Sequence, residues 1–330
     1  MSNILVFGPG GVGCIYAYIL ETGGAKVTAV CRSNFTAVKE HGITIDSKLW
    51  GKVHCSPTPV RTAAEAVAYG PFDYILVSSK AFRGTSALLK EAVTPGVTSI
   101  VLAQNGIGIE EEYHEAYPEN TIISGVVYLP TTQTSPGYVS MGPFENFEIG
   151  IYPTPTSTPP TTSQQSSIEA AERFAGIFKK AGATCSVFSD IQRPRWTKLC
   201  VNAAWNSMCA LTLCDDANLI RSSPGAMEQV RKIMQEIAVL AEGVGYPGVA
   251  ADADKTTNRI LGRLETGGKE PSMLTDVRHS RPMETEAILG NAVRMAAQKG
   301  VETKVLDLLY VLLKGKDYSM NPDEKWKEIA

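Results

Sequence analysis

Lys198, Asn202 and Asn206 recur at steps of four in the segment Arg195-Trp196-Thr197-Lys198-Leu199-Cys200-Val201-Asn202-Ala203-Ala204-Trp205-Asn206. On a helix each such step rotates a side chain by about 40°, so the three share one slowly drifting stripe. One ammonium and two amides among apolar neighbours must find polar partners or cost stability. A bound polar substrate would supply them, and so would a hydrogen-bond network between domains. A second set, Gly8-Pro9-Gly10-Gly11-Val12-Gly13, fits G-x-G-x-x-G. It follows the apolar run Ile4–Phe7 and precedes the apolar-periodic stretch Cys14–Leu20, the strand-to-helix context in which this motif holds a dinucleotide pyrophosphate. Gly8 permits the tight turn, Gly10 the close approach of backbone to phosphate, and Gly13 the packing of helix on strand. The amides at the helix start face the anion.

At the end of the second expected strand, where an NAD enzyme usually places Asp or Glu for the ribose diol, stand Cys31-Arg32-Ser33-Asn34. A carboxylate would repel a 2′-phosphate. Arg32 can pair with it in a bidentate fork, with Ser33 or Asn34 adding hydrogen bonds and Lys39 as a weaker second cation. NADPH is therefore the expected cofactor. Lys80, after Tyr74–Val77, and Asn105, after the run that ends in Val101-Leu102, occupy two further strand exits, the edge where open α/β sheets bind ligands. Either could equally be a polar residue closing a strand.

These residues need elements to hold them. Short β-branched runs at Ile4–Phe7, Lys26–Val30, Tyr74–Val77, Ser99–Leu102 and Ile122–Val127 alternate with helical stretches, the pattern of a Rossmann-type doubly wound α/β domain. Residues 153–168, rich in Pro, Thr and Ser, read as a mobile loop or insertion. A helix over 169–181 and one more strand of the same sheet at Thr184–Phe188 follow, which puts the boundary near Asp190. The expected domains are thus 1–190 and 191–330. In the second, helical stretches at about 195–213, 225–243, 276–299 and 303–314 imply an all-helical fold. Pro271-Ser272-Met273-Leu274-Thr275-Asp276-Val277-Arg278, after Thr266-Gly267-Gly268, reads as a loop entering a helix. Ser272 or Thr275 is its candidate cap, Arg278 and Asp276 can pair locally, and Glu284 falls two turns beyond Asp276.

Composition narrows the function classes. The 31 basic and 34 acidic residues give a formal charge of -3, so no positive excess is available for nucleic acid or an anionic membrane. No run of about 18 or more uncharged apolar residues offers a membrane span. The start, Met1-Ser2-Asn3 before Ile4–Phe7, lacks a basic region and reads as a buried strand, not a signal peptide, so the expected location is cytoplasmic. Accordingly, the seven cysteines are expected to be reduced, and the sequon Asn34-Phe35-Thr36 a chance match. His41, His54, His114 and His279 form no close cluster, so no metal is expected.

Together these segments resemble the ketopantoate reductase family over nearly the whole chain. The family's glycine-rich start, Arg after the second strand, Lys after the fourth and Asn-Gly after the next look like Gly8–Gly13, Arg32, Lys80 and Asn105-Gly106. Its Lys-x-x-x-Asn-x-x-x-Asn helix matches Lys198, Asn202 and Asn206, and its Ser-Met-x-x-Asp-x-x-x-x-x-x-x-Glu segment matches Ser272, Met273, Asp276 and Glu284. The resemblance implies a Rossmann-type domain followed by a helical domain like that of 6-phosphogluconate dehydrogenase. It also implies NADPH-dependent reduction of ketopantoate to pantoate, for pantothenate and coenzyme A synthesis. Lys198 would be the general acid, Asn202 and Asn206 would bind substrate oxygens, Ser272 the carboxylate, and Glu284 would orient substrate and Lys198. Lys80 and Asn105 would sit by the nicotinamide and its ribose. Two positions depart from the family pattern. Arg83 stands where a Gln is frequent, and Asp216 where an Asn is expected, unless a two-residue shift brings in Asn218. The expected partner is a small 2-oxo acid, with no nucleic acid or membrane, and a homodimer is the candidate assembly. The alternatives are a reductase of another 2-oxo acid, a dehydrogenase of similar architecture with a different catalytic set, and an NADPH sensor without turnover.

Overall fold

The computed structural model describes residues 1–262, 265 and 267–320. Thr266 of the glycine-rich stretch and residues 321–330 of the expected helical domain lie outside them. The chain packs as two compact units. One consists of Met1–Gln104 with Ile109–Gln192, the other of Asn105–Gly108 with the chain from Arg193 onward. Asn105–Gly108, which follow a first-unit strand in sequence, thus belong to the second unit.

Among the described residues the first unit has twelve strands: β1 (Asn3–Phe7), β2 (Lys26–Val30), β3 (Ile43–Ser47), β4 (Gly51–Cys55), β5 (Thr58–Val60), β6 (Tyr74–Val77), β7 (Ser99–Leu102), β8 (Ile122–Tyr128), β9 (Thr131–Ser135), β10 (Tyr138–Met141), β11 (Asn146–Tyr152) and β12 (Cys185–Val187). Its helices are α1 (Gly11–Thr22), α2 (Phe35–His41), α3 (Ala63–Ala66), α4 (Glu110–Ala116) and α5 (Thr162–Lys180). Eight strands form one sheet in the order β12-β11-β8-β7-β6-β1-β2-β5, parallel except where β11 runs antiparallel to β8. Ile4, Leu5 and Val6 of β1 and all of β6 and β7 are buried, as expected for strands covered on both faces. The register aligns Phe7 with Val30 and Val77, and Val77 with Leu102. Four parallel strands therefore end at one level, and their exits share one sheet edge.

A second sheet, β4-β3-β10-β9, was not foreseen. Its strands are short, and β3 and β10 pair in parallel although 90 residues separate their sequences, from Ser47 to Tyr138 by number. No local pattern signals such a pairing. Helix α1 packs against strands of both sheets and against α5, and Tyr16 on α1 stacks with Phe147 at 4.9 Å and meets Phe178 edge-on at 5.3 Å in the core. The Pro/Thr/Ser-rich stretch is loop only in part, because α5 begins at Thr162 and covers 162–168. Thr161 and Gln164 form a reciprocal capping box, Thr161 N donating to Gln164 Oε1 at 2.9 Å, which starts the helix despite its polar composition.

The second unit holds the helices α6 (Gln192–Thr212), α7 (Asp216–Ser222), α8 (Ala226–Gly243), α9 (Val249–Leu261), α10 (Ser272–Arg278), α11 (Asn291–Lys299) and α12 (Lys304–Met320). Of these, α7 and α9 were not foreseen. The single helix expected over 276–299 is broken: α10 ends at Arg278, Ser280 adopts φ 50° and Pro282 follows, and the chain resumes through a π-helical turn, Glu286–Gly290, into α11. Glu284 is therefore not two turns along the helix of Asp276. Pro271, not Ser272 or Thr275, occupies the cap position of α10, and it makes no side-chain cap. Arg278 pairs with Glu270 at 2.6 Å rather than with Asp276, which pairs with Arg281 at 3.2 Å.

Candidate functional site

In the first unit the glycine-rich segment runs from β1 into α1 as a tight, cross-braced loop. Gly8 has φ 84°, and a Cβ there would press on Ser79 at 2.7 Å. Gly10 N donates to Gly8 O at 2.8 Å, and Ser78 Oγ, at the exit of β6, donates to Gly8 O at 3.0 Å. A Cβ on Gly13 would overlap Ser78 Oγ and lie 2.7 Å from Gly8 O, whereas one on Gly10 would meet nothing within 4 Å. The loop is thus packed on its inner side at Gly8 and Gly13 and open at Gly10, the geometry a pyrophosphate needs. Gly11 and Val12 continue it into α1, whose N-terminus has no side-chain cap and no acidic residue in its first turn. The positive end of the helix dipole is left for an anion.

Arg32 and Ser33 are exposed at the exit of β2. Asn34 is not positioned alongside them as expected: it is buried, and its Nδ2 donates to Pro9 O at 2.8 Å, bracing the glycine-rich loop. A residue without sequence signal joins this edge. Arg61 follows β5, Cys31 N donates to Val60 O at 2.8 Å, and the Arg61 guanidinium lies 4.0 Å from the Phe35 ring centroid, with Lys39 Nζ at 6.0 Å from the same ring. Only the pairing of β2 with β5 brings Arg61 here. At the next exits, Lys80 is half-buried. Gln104 Nε2 donates to the carbonyls of Ser79 and Lys80 at 3.0 and 3.3 Å, and its Oε1 accepts from Tyr113 Oη at 3.2 Å. Burial raises the pKa of the Tyr113 hydroxyl, which therefore stays a donor.

In the second unit the stripe on α6 is engaged at both ends. Lys198 Nζ donates to Asn105 Oδ1 at 2.8 Å. Asn206, 5% exposed, accepts at Oδ1 from Ser272 Oγ at 3.2 Å and from Met273 N at 3.1 Å, so it also holds the start of α10. Asn202 lies half-buried between them in sequence. Glu284 is 5% exposed and precedes the π-helical turn. Two residues that the sequence did not single out hold the Asn105–Gly108 segment: Arg195, 3% exposed, donates to Gly106 O at 2.8 Å, and Asn291 Nδ2 donates to Ile107 O at 2.7 Å. Among the described residues no group of three or more His, Cys, Asp or Glu is placed to hold a metal ion, and no helix is long and apolar enough to cross a membrane. All seven cysteines are free.

Residues 4–154 match the family described as ketopantoate reductase PanE/ApbA, and residues 190–317 match its C-terminal domain. The chain belongs to the ketopantoate reductase family. This is a family of oxidoreductases acting on CH–OH groups. A 2-dehydropantoate 2-reductase from Methylococcus capsulatus has a crystal structure that aligns with a TM-score of 0.81 at 33% identity, covering 97% of this chain and 98% of that one. The Nostoc sp. 2-dehydropantoate 2-reductase is 26% identical over 94% of this chain and 93% of its own, and an uncharacterized Saccharomyces cerevisiae protein is 29% identical over 95% and 93%. A D-mandelate dehydrogenase solved with NADH and anilino(oxo)acetate shares the fold, with a TM-score of 0.82 at 22% identity.

Against the ketopantoate reductase pattern, the two departures fall in different settings. Arg83 is exposed on the loop after β6. Asp216 is 3% exposed; its Oδ1 accepts from Lys269 N at 2.7 Å, and its own N–H donates to Lys269 O at 3.2 Å. That carboxylate serves to clip the chain ahead of α10. Asn218, the shifted alternative, is tied at 2.7 and 3.0 Å to the Asp215 carboxylate.

Proposed function

We propose that this chain reduces ketopantoate to pantoate with NADPH, a cytoplasmic step toward pantothenate and coenzyme A. When bound, NADPH supplies the hydride that the carbonyl carbon accepts. The pyrophosphate would lie on the Gly8–Gly13 loop, where Gly10 leaves room and the α1 amides donate. Arg32 would take the 2′-phosphate, with Arg61 as a second cation on the same edge. Lys80 and Asn105 would serve the nicotinamide and its ribose.

Lys198 would act as the general acid. Its ammonium, held at Nζ by Asn105, stabilises negative charge growing on the carbonyl oxygen and delivers the proton that completes the alcohol. Asn202 and Asn206 would bind substrate oxygens, Ser272 the carboxylate, and Glu284 would orient substrate and Lys198. The observation that carries this reading is the Lys198–Asn105 hydrogen bond at 2.8 Å, made by two residues matched to the family motif and 93 positions apart.

The test is oxidation of NADPH by the purified protein with ketopantoate, beside a panel of other branched and aromatic 2-oxo acids, each repeated with NADH. The expected outcome is a kcat/KM highest for ketopantoate and for NADPH. Preference for another acid would keep the chemistry and move the substrate, and Arg83 would then be the first residue to exchange for Gln. Cofactor binding without turnover on any acid would support a sensor instead.

A further inference from the structure

Asn105–Gly108 is a poor platform for a precisely placed amide. Two of its four residues are glycines in the left-handed region, Gly106 at φ 102° and Gly108 at φ 66°. Glycine loses more backbone freedom on ordering than any other residue. Asn105 nevertheless presents Oδ1 at 2.8 Å from Lys198 Nζ. Something must hold the segment.

Three backbone groups of the segment are held, each by the helical unit. Gly106 O accepts from the buried Arg195, Ile107 O accepts from Asn291 Nδ2, and Ile107 N donates to Ala287 O at 3.0 Å. The last acceptor is made available by the π-helical turn, in which Asn291 N donates to Glu286 O, five residues back, leaving Ala287 O to turn toward Ile107. Gly106 is required for that approach, because a Cβ there would overlap Ala287 O. The Asn291 amide cannot flip without loss. Its Oδ1 accepts from Arg294 Nη2 at 2.6 Å, and Arg294 Nη1 is held by Glu286 Oε2 at 2.9 Å. Glu286 Oε1 in turn accepts from Tyr310 Oη at 2.8 Å and Lys314 Nζ at 2.9 Å. A flipped amide would face donor to donor at Arg294 and acceptor to acceptor at Ile107.

We propose that Asn291 and Arg195 are positioning residues for the reduction. They act through the backbone of Gly106 and Ile107 to fix the Asn105 amide against Lys198, with Asn291 itself locked by the Arg294–Glu286 pair. This rests on the reading of Lys198 as the general acid. The test combines amide hydrogen exchange over the Asn105–Gly108 segment with steady-state kinetics, for wild type, Asn291→Ala, Asn105→Ala and the double variant, using the 2-oxo acid that the wild type turns over best.

In Asn291→Ala the Ile107 amide is expected to exchange at least about tenfold faster, and kcat to fall about tenfold with KM for NADPH within about twofold, the scale of one lost hydrogen bond. The double variant should be no slower than Asn105→Ala alone, since residues acting through one contact are not additive. Unchanged Ile107 exchange, or kcat losses that multiply in the double variant, would overturn the proposal. Should Asn291→Ala fail to fold, Asn291→Asp keeps the shape and the Arg294 contact but removes the donor to Ile107, and is read the same way. A wild type without turnover would refute the catalytic reading, while Ile107 exchange would still accept or reject the clamp.

Discussion

Alanine at Gly10 and alanine at Gly13 are the same chemical change three residues apart, yet the loop geometry demands opposite outcomes. At Gly13 the new Cβ would overlap Ser78 Oγ and sit 2.7 Å from the backbone oxygen of Gly8. Ser78 could rotate away, losing its hydrogen bond to Gly8 O, but the carbonyl could move only by shifting the β1 exit. Overpacking of this kind costs about 1–3 kcal/mol, or a fall in melting temperature of roughly 2–4 °C per kcal/mol for a unit of this size. At Gly10 the Cβ would meet no atom within 4 Å, and the backbone is already at φ -78°, which alanine adopts freely. Stability should therefore hold or rise by about 0.4–1 kcal/mol through the unfolded chain. The new methyl would occupy the space the pyrophosphate needs, and NADPH should bind at least about tenfold more weakly, about 1.4 kcal/mol. Thermal unfolding without ligand and a fluorescence titration with NADPH read the two quantities separately. A Gly10→Ala protein that binds NADPH as tightly as wild type would refute the placement of the cofactor on this loop.

Arg32→Ala should weaken NADPH by about 10- to 100-fold, the loss of one or two charge-assisted hydrogen bonds, and NADH hardly at all. Equal losses for both in a binding titration would move the 2′-phosphate elsewhere, with Arg61→Ala the next variant to measure. Burial raises the pKa of the Glu286 carboxyl, but hydrogen bonds from Lys314, Arg294 and Tyr310 outweigh it and hold it below the usual carboxylate value. A depressed folded-state pKa contributes stability that is present above the unfolded value and is lost as pH falls through the folded one. Melting temperature should thus fall less steeply on acidification below the ordinary carboxylate range in Glu286→Gln than in wild type, and parallel curves would show that the cluster contributes nothing to acid stability.

The strand–loop–helix geometry of the glycine-rich segment was legible because its signals are local. A strand, three spaced glycines and a helix are consecutive, and their geometry is set by Gly8 and Gly13 themselves. The stripe on α6 was legible for the same reason, since Lys198, Asn202 and Asn206 share one helix. What the sequence hid are partners chosen by long-range pairing. Arg61 reaches the β2 exit only because β5 pairs with β2, and Asn291 meets Ile107 across 184 positions of sequence, where a π-helical turn also frees Ala287 O for the Ile107 amide. The β3–β10 pairing that builds the second sheet is equally non-local. Asn34 by type suits both a phosphate contact and a loop brace, and its bond to Pro9 O, which no local pattern signals, makes it the brace. The break after Arg278 did carry local signs, the polar run Arg278-His279-Ser280-Arg281 and then Pro282, which interrupt the apolar periodicity between Val277 and Met283.

Steady-state reduction of ketopantoate by Lys198→Ala and by wild type, with NADPH affinity measured on both, tests whether Lys198 donates the proton in an NADPH-dependent reduction of a 2-oxo acid. The expected result is turnover lowered by about 10² or more, the scale of general acid catalysis, with NADPH affinity nearly unchanged. Equal turnover in the two proteins would contradict it.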